Sequence, residues 1–96
     1  MKLEVTDNAL NWFNDEMDAE KGDTFRFFVR YGGNSPVQSG FSLGVTKETA
    51  QDVATSLDKD GITFFIENKD LWFFDQHDLK VDIDQGDGTL SFYYSK

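Results

Sequence analysis

The chain has 96 residues, 18 acidic against 9 basic for a formal charge of −9, and no cysteine. A field of that sign repels a phosphate backbone and an anionic membrane surface, so neither nucleic acid nor membrane is an expected partner. Disulfides, thiolate metal sites, cysteine nucleophiles and cysteine-held clusters are excluded for this chain alone. The length corresponds to one domain, residues 1–96, which buries roughly 65% of its unfolded surface. Ten Phe, three Tyr and two Trp supply much of the core, at about 150–250 Å² each. No stretch approaches the roughly 18 apolar residues of a membrane span, and no signal-peptide pattern opens the chain. A soluble cytoplasmic protein is the expectation.

Lys2-Leu3-Glu4-Val5 alternates polar with apolar and predicts a short strand. Thr6 or Asp7 then caps a helix, because a short oxygen-bearing side chain accepts the free amide hydrogens of the first turn. Leu10, Phe13 and Met17 fall on one stripe, flanked by Ala9 and by Trp12 or Glu16. Asn11, Asn14, Asp15 and Asp18 face solvent, and Gly22 is the expected stop.

The richest strand is Phe25 to Tyr31, with Phe25, Phe27, Val29 and Tyr31 on one side and Arg26, Phe28 and Arg30 on the other. It delivers the chain to Gly32-Gly33-Asn34, where glycine permits angles that other residues avoid. Asn34 to Gly40 lacks regular structure. Phe41, Leu43 and Val45 then alternate with Ser42, Gly44 and Thr46 as a half-buried strand. Lys47 to Gln51 fits a helical turn or a loop equally well, and a strand is expected at Asp52–Leu57.

Asp58-Lys59-Asp60-Gly61 has turn chemistry. Ile62 to Ile66 is apolar on both faces, as a central strand covered on both sides requires. Glu67 to Asp70 turns the chain, and Leu71-Trp72-Phe73-Phe74 is too short and uniformly apolar to assign by period. Leu79, Val81 and Ile83, the Gln85–Gly88 turn, and Leu90, Phe92 and Tyr94 make a terminal hairpin. The sum is mainly β with one amphipathic helix (α+β), the sheet folded or doubled.

In order and spacing these elements resemble the HesB/IscA-type domain, the A-type carrier domain of iron–sulphur cluster biogenesis. The resemblance runs through Val5–Leu10 opening the helix, Val29–Ser35, Gly40–Gly44, Asp58–Ile62 on to Leu71–Phe74, and Gly88–Phe92. It implies a HesB/IscA-like small folded β-sandwich or half-barrel. The family's cluster ligands are a cysteine in the loop after the Arg-containing strand and a C-terminal Cys-x-Cys. The loop cysteine falls at Asn34, and no cysteine follows Tyr94. Soft thiolate sulphur matches cluster iron, and an asparagine amide does not replace it. The resemblance therefore implies the scaffold without the cluster ligands.

His77, the only histidine, lies in Asp75-Gln76-His77-Asp78. A carboxylate–imidazole pair moves protons, but no nucleophile partner or elbow motif accompanies it, so a polar loop is the preferred reading. Asp82 to Gly88 superficially suggests a calcium loop. Its register fails, with Gly86 at the fifth position and Tyr93 at the twelfth. Asp15, Glu16, Asp18, Glu20 and Asp23 offer oxygen ligands for a hard metal, although such runs are usually solvated faces. Arg26 and Arg30 either pair with internal carboxylates or present a contact surface.

The preferred reading is a non-enzymatic protein-binding or adaptor module, with Arg30, Gly33, Asn34 and Ser35 as binding residues at the loop that matches the family's first cysteine. No catalytic residue, metal ligand or cofactor is assigned. The partner is a protein of unspecified identity, and the resemblance allows a homodimer. The alternative is a carboxylate-based protein for labile iron or another hard metal; a hydrolase built on His77 ranks last.

Overall fold

The structure, a computed structural model, describes residues 1–96. It contains seven strands and two helical segments: β1 (Leu3–Val5), α1 (Asp7–Met17), β2 (Thr24–Tyr31), β3 (Phe41–Lys47), β4 (Val53–Lys59), β5 (Ile62–Glu67), a 3-10 helix (Asn68–Phe74), β6 (Asp78–Ile83) and β7 (Leu90–Ser95). They form two sheets, ordered β1-β6-β7 and β3-β2-β5-β4. β1 runs parallel to β6, and β2 parallel to β5, while β3, β4 and β7 pair antiparallel with their neighbours. The doubled, mainly-β arrangement matches the expectation from sequence.

Thr6 is the helix cap, and it does more than cap. Its hydroxyl oxygen accepts the Ala9 amide at 3.1 Å and donates to Asp82 Oδ1 at 2.7 Å, so one side chain ties the start of α1 to β6. That hydroxyl, followed by the Ile83 amide, holds the Asp82 carboxyl below the usual carboxylate range. The helix ends five residues before the expected Gly22. Asp18 takes the left-handed conformation (φ 49°) and its amide bonds to the Phe13 carbonyl. Aspartate tolerates this region better than most non-glycine residues, which is why glycine was not needed to stop the helix.

Two sheets and α1 close around 15 buried side chains drawn from β1, α1, β2, β3, β5, the 3-10 helix and β6. Phe13 sits at its centre, with ring centroids 4.9 Å from Phe64, 5.1 Å from Phe25 and 6.2 Å from Phe27. Phe27 in turn meets Phe92 of β7 at 6.0 Å, edge to face, joining the two sheets. β5 is the interior strand between β2 and β4, and both of its faces are apolar and covered: Phe64 and Ile66 lie in this cluster, and Phe65 is fully buried outside it.

Three boundaries differ from the sequence reading. β4 runs to Lys59 instead of ending at Leu57, because Asp58 and Lys59 still pair with Thr63 and Ile62; the turn is confined to Asp60 and Gly61, both at positive φ. Glu67 does not turn the chain. It ends β5 and is buried, its carboxylate accepting the amides of Gln51 and Asp52 at 3.0 and 2.7 Å. Asn68 to Phe74 is one 3-10 helix, whose three-residue period puts Asp70 and Phe73 on the same side.

The half-buried Tyr94 phenol lies against the rings of Phe73 and Phe74, at 6.0 and 6.3 Å, and burial pushes its ionisation up from 10.0 to about 12. The neutral phenol is thus favoured by the fold. Stability is full below pH 10 and falls as pH rises through about 12, because the unfolded chain releases that proton first. Phenolate absorbance of the wild type minus that of Tyr94→Phe should titrate near 12, and the variant should lose less stability in alkali. A difference titration centred near 10 contradicts the burial argument.

Candidate functional site

The loop after β2 is built by glycine and serine. Gly32, Gly33 and Gly40 have φ of 111°, 67° and 84°, and the Gly32 amide donates to the Gly40 carbonyl at 2.9 Å to close the loop's base. Within it, the Ser35 hydroxyl accepts the Gln38 amide at 3.1 Å and donates to the Gln38 carbonyl at 3.0 Å. Ser42, across from Arg30 in the β2–β3 pairing, organises the entrance. Its Oγ accepts from Arg30 Nε at 3.0 Å and donates to the Gly32 carbonyl at 3.1 Å. A Cβ on Gly33 would stand 2.8 Å from that same oxygen, so glycine is required there by both space and backbone angle.

Arg30 and Gly33 therefore meet at Ser42, a residue not singled out from the sequence. Asn34 and Ser35 line an open hollow of about 170 Å³ that Ser42 lines as well, and whose far wall is Ser91, Phe92 and Tyr94 of β7. Of the four expected binding residues, Arg30 lies near the end of β2 and Gly33, Asn34 and Ser35 on the loop that follows, with Ser42 common to both groups. The β7 wall was beyond sequence reasoning because it lies more than fifty positions away. Asn34 is exposed. With no cysteine anywhere in the chain, these residues do not fit thiolate ligation of an iron–sulphur cluster.

The two arginines take different roles. Arg26 is mostly buried and bonds to Asp70 at 2.7 Å and Glu48 at 2.9 Å, with its guanidinium 5.8 Å from the Phe28 ring. Burial pulls its protonation down, but the bonds to Asp70 and Glu48 raise it above the ordinary arginine value on balance. Arg30 is exposed and bonds to Ser42, with no carboxylate partner.

The remaining candidates resolve into structure. His77 Nδ1 lies 2.9 and 3.0 Å from the carbonyls of Phe74 and Asp75; these only accept, so Nδ1 carries the proton and closes the end of the 3-10 helix. No carboxylate bonds to the ring. In the final turn Asp84 accepts the Gly86 amide and Asp87 accepts both the amide and the hydroxyl of Thr89. Nowhere do three or more His, Asp or Glu side chains converge as a metal-holding group, the acidic exit of α1 included. No helix is long and apolar enough to cross a membrane.

One surface went unread. Tyr31, expected on the buried side of β2, is 90% exposed, because it lies where the strand runs out past the core. Its ring is edge-on to Phe41 at 5.7 Å, and Phe41 is edge-on to Trp72 at 5.3 Å. Trp72 is 52% exposed beside Leu71 at 40%. An apolar file thus runs from the mouth of the loop to the 3-10 helix.

Comparison with known proteins places this geometry. The family model described as iron–sulphur cluster biosynthesis matches residues 1–96. A Bacillus subtilis (strain 168) protein named pyruvate dehydrogenase inhibitor is 51% identical over 94 residues, covering 98% of this chain and 99% of its own length. An uncharacterised Staphylococcus saprophyticus protein is 36% identical over 95 residues, 96% of this chain and 97% of its own, and one from Staphylococcus aureus strain MRSA252 is 34% identical over the same share. With its whole length matched and no cysteine anywhere in it, the chain belongs to the iron–sulphur cluster biosynthesis (HesB/IscA) family as a cysteine-free member.

Proposed function

We propose that this protein is a non-catalytic binding module that lowers the activity of a pyruvate dehydrogenase. The observation that carries the reading is the 51% identity, over 98% of this chain and 99% of the relative, with the Bacillus subtilis protein of that name. Three features of the chain support it. Cysteine ligands for a cluster are absent. His77, Asp82, Asp84 and Asp87 are engaged in local hydrogen bonds. Exposed Arg30 near the end of β2 and the following loop of Gly33, Asn34 and Ser35, held in shape by Ser42, offer polar groups to a partner.

The test adds purified protein to the host's pyruvate dehydrogenase complex and follows pyruvate-dependent NAD reduction. The expected result is a saturable fall in rate. Replacing Arg30 and Asn34 together by Ala should raise the half-inhibitory concentration about tenfold, the size of a modest interface contact. An unchanged rate at a large molar excess of the protein would sink the proposal.

A further inference from the structure

We propose that the exposed aromatic file is the docking surface for the partner, and that it takes a protein segment presenting an apolar side chain next to a lysine or arginine. This rests on the function proposed above and says where and how that partner is held. Trp72, Leu71 and the buried Phe74 line an open hollow of about 490 Å³ together with Met1, Asp75 and Gln76. Trp72 stands edge-on between Phe41 and Phe73, at 5.3 and 6.2 Å, so its ring is fixed before any partner arrives. A rigid, half-exposed tryptophan over a hollow is the kind of anchor that dominates binding energy at protein interfaces.

The backbone rim is fixed too. Asp75 and Gln76 both have positive φ, 47° and 64°, and the Asp75 and His77 amides bond back to the Trp72 and Phe74 carbonyls. Charge selects the occupant. Asp75 stands exposed on the rim and, like most carboxylates of this acidic chain, forms no ion pair. A second copy of this chain would bring another −9 against the same rim, so like charges oppose self-association there, and a cationic partner gains what the copy loses. Tyr31 and Phe41 carry the apolar file to the loop of Asn34, making the loop the polar border of one face.

The experiment measures affinity for the host's pyruvate dehydrogenase complex by calorimetry, with sedimentation of the free protein alongside. Trp72→Ala should weaken binding about thirtyfold and Tyr31→Ser about tenfold, as hot-spot aromatics do. Tyr31 is almost wholly exposed, so its variant keeps the fold and guards against a trivial loss. Asp75→Asn should weaken binding several-fold at low salt and by less at high salt. Glu16→Gln on α1 removes the same charge away from the hollow and should leave affinity unchanged, which separates local complementarity from net charge. Tight wild-type binding matched by Trp72→Ala and Tyr31→Ser overturns this inference and leaves the proposed function standing. No wild-type binding overturns the proposed function itself. A wild-type dimer that Trp72→Ala converts to monomer assigns the face to a second copy, and overturns the inference as well.

Discussion

Phe13→Ala is expected to remove about 3–5 kcal/mol of stability, the range for deleting a fully buried phenylalanine. Phe13 is wholly inaccessible and meets, besides its neighbour Trp12, the rings of Phe25, Phe27 and Phe64 from two strands of the larger sheet. Truncation leaves a void that these rings cannot fill, because each is pinned by its own strand's register. Domains of this size are stable by only about 5–15 kcal/mol in total, so the loss is a large share of the whole. Urea unfolding should show a lower midpoint with an unchanged slope, which marks lost stability without a change in the surface exposed. The thermal midpoint should fall by more than about ten degrees. A loss under about 1 kcal/mol would mean that the helix is not docked on the Phe25–Phe64 rings as described.

Asp70→Ala should cost about 3 kcal/mol, and Arg26→Ala at least as much, for a different reason. Side-chain exposure at the pair is 11% for Arg26 and 10% for Asp70, and the bond between them is 2.7 Å. Removing Asp70 leaves a buried cation with Glu48, itself 36% exposed and a weaker anchor. Removing Arg26 leaves the Asp70 carboxylate without its side-chain partner. Breaking one half of a buried pair is expensive because the other half stays out of water uncompensated. Replacing both halves is not. The double variant Arg26→Met with Asp70→Leu should recover most of the loss, since it deletes both desolvation penalties and frees the fold of Arg26 Nε, which is buried without a partner. A double-mutant cycle by denaturant unfolding reads the coupling; additive losses would show that the two groups act independently.

This pair shows where the sequence was legible. That Arg26 sits on the less apolar face of β2 follows from alternation alone, which left open whether it pairs with carboxylates or presents a contact surface; the structure shows the pairing. Which carboxylates was not readable: Glu48 and Asp70 lie 22 and 44 positions away and come together only when β3 and the 3-10 helix flank β2. The helix itself hid in Leu71–Phe74, because a 3-10 segment this short has no period that hydrophobicity can reveal. Tyr31 misled for a related reason. Alternation assigns a face, and says nothing of where the covering layer ends.

The sequence by itself determined the order of the seven strands and α1, the glycine loop after β2, the final hairpin, a helix cap at Thr6 or Asp7 and the loss of every thiolate, because these depend on local backbone preference, side-chain period and composition. Tertiary structure alone decided that Ser42 organises the loop, that β7 walls the hollow beside Asn34, and that Tyr31 and Trp72 emerge at the surface on either side of the half-buried Phe41. Those outcomes depend on which distant strands share a sheet and where the core stops. Such pairings are fixed by the summed burial of the whole chain, which no local window of residues contains.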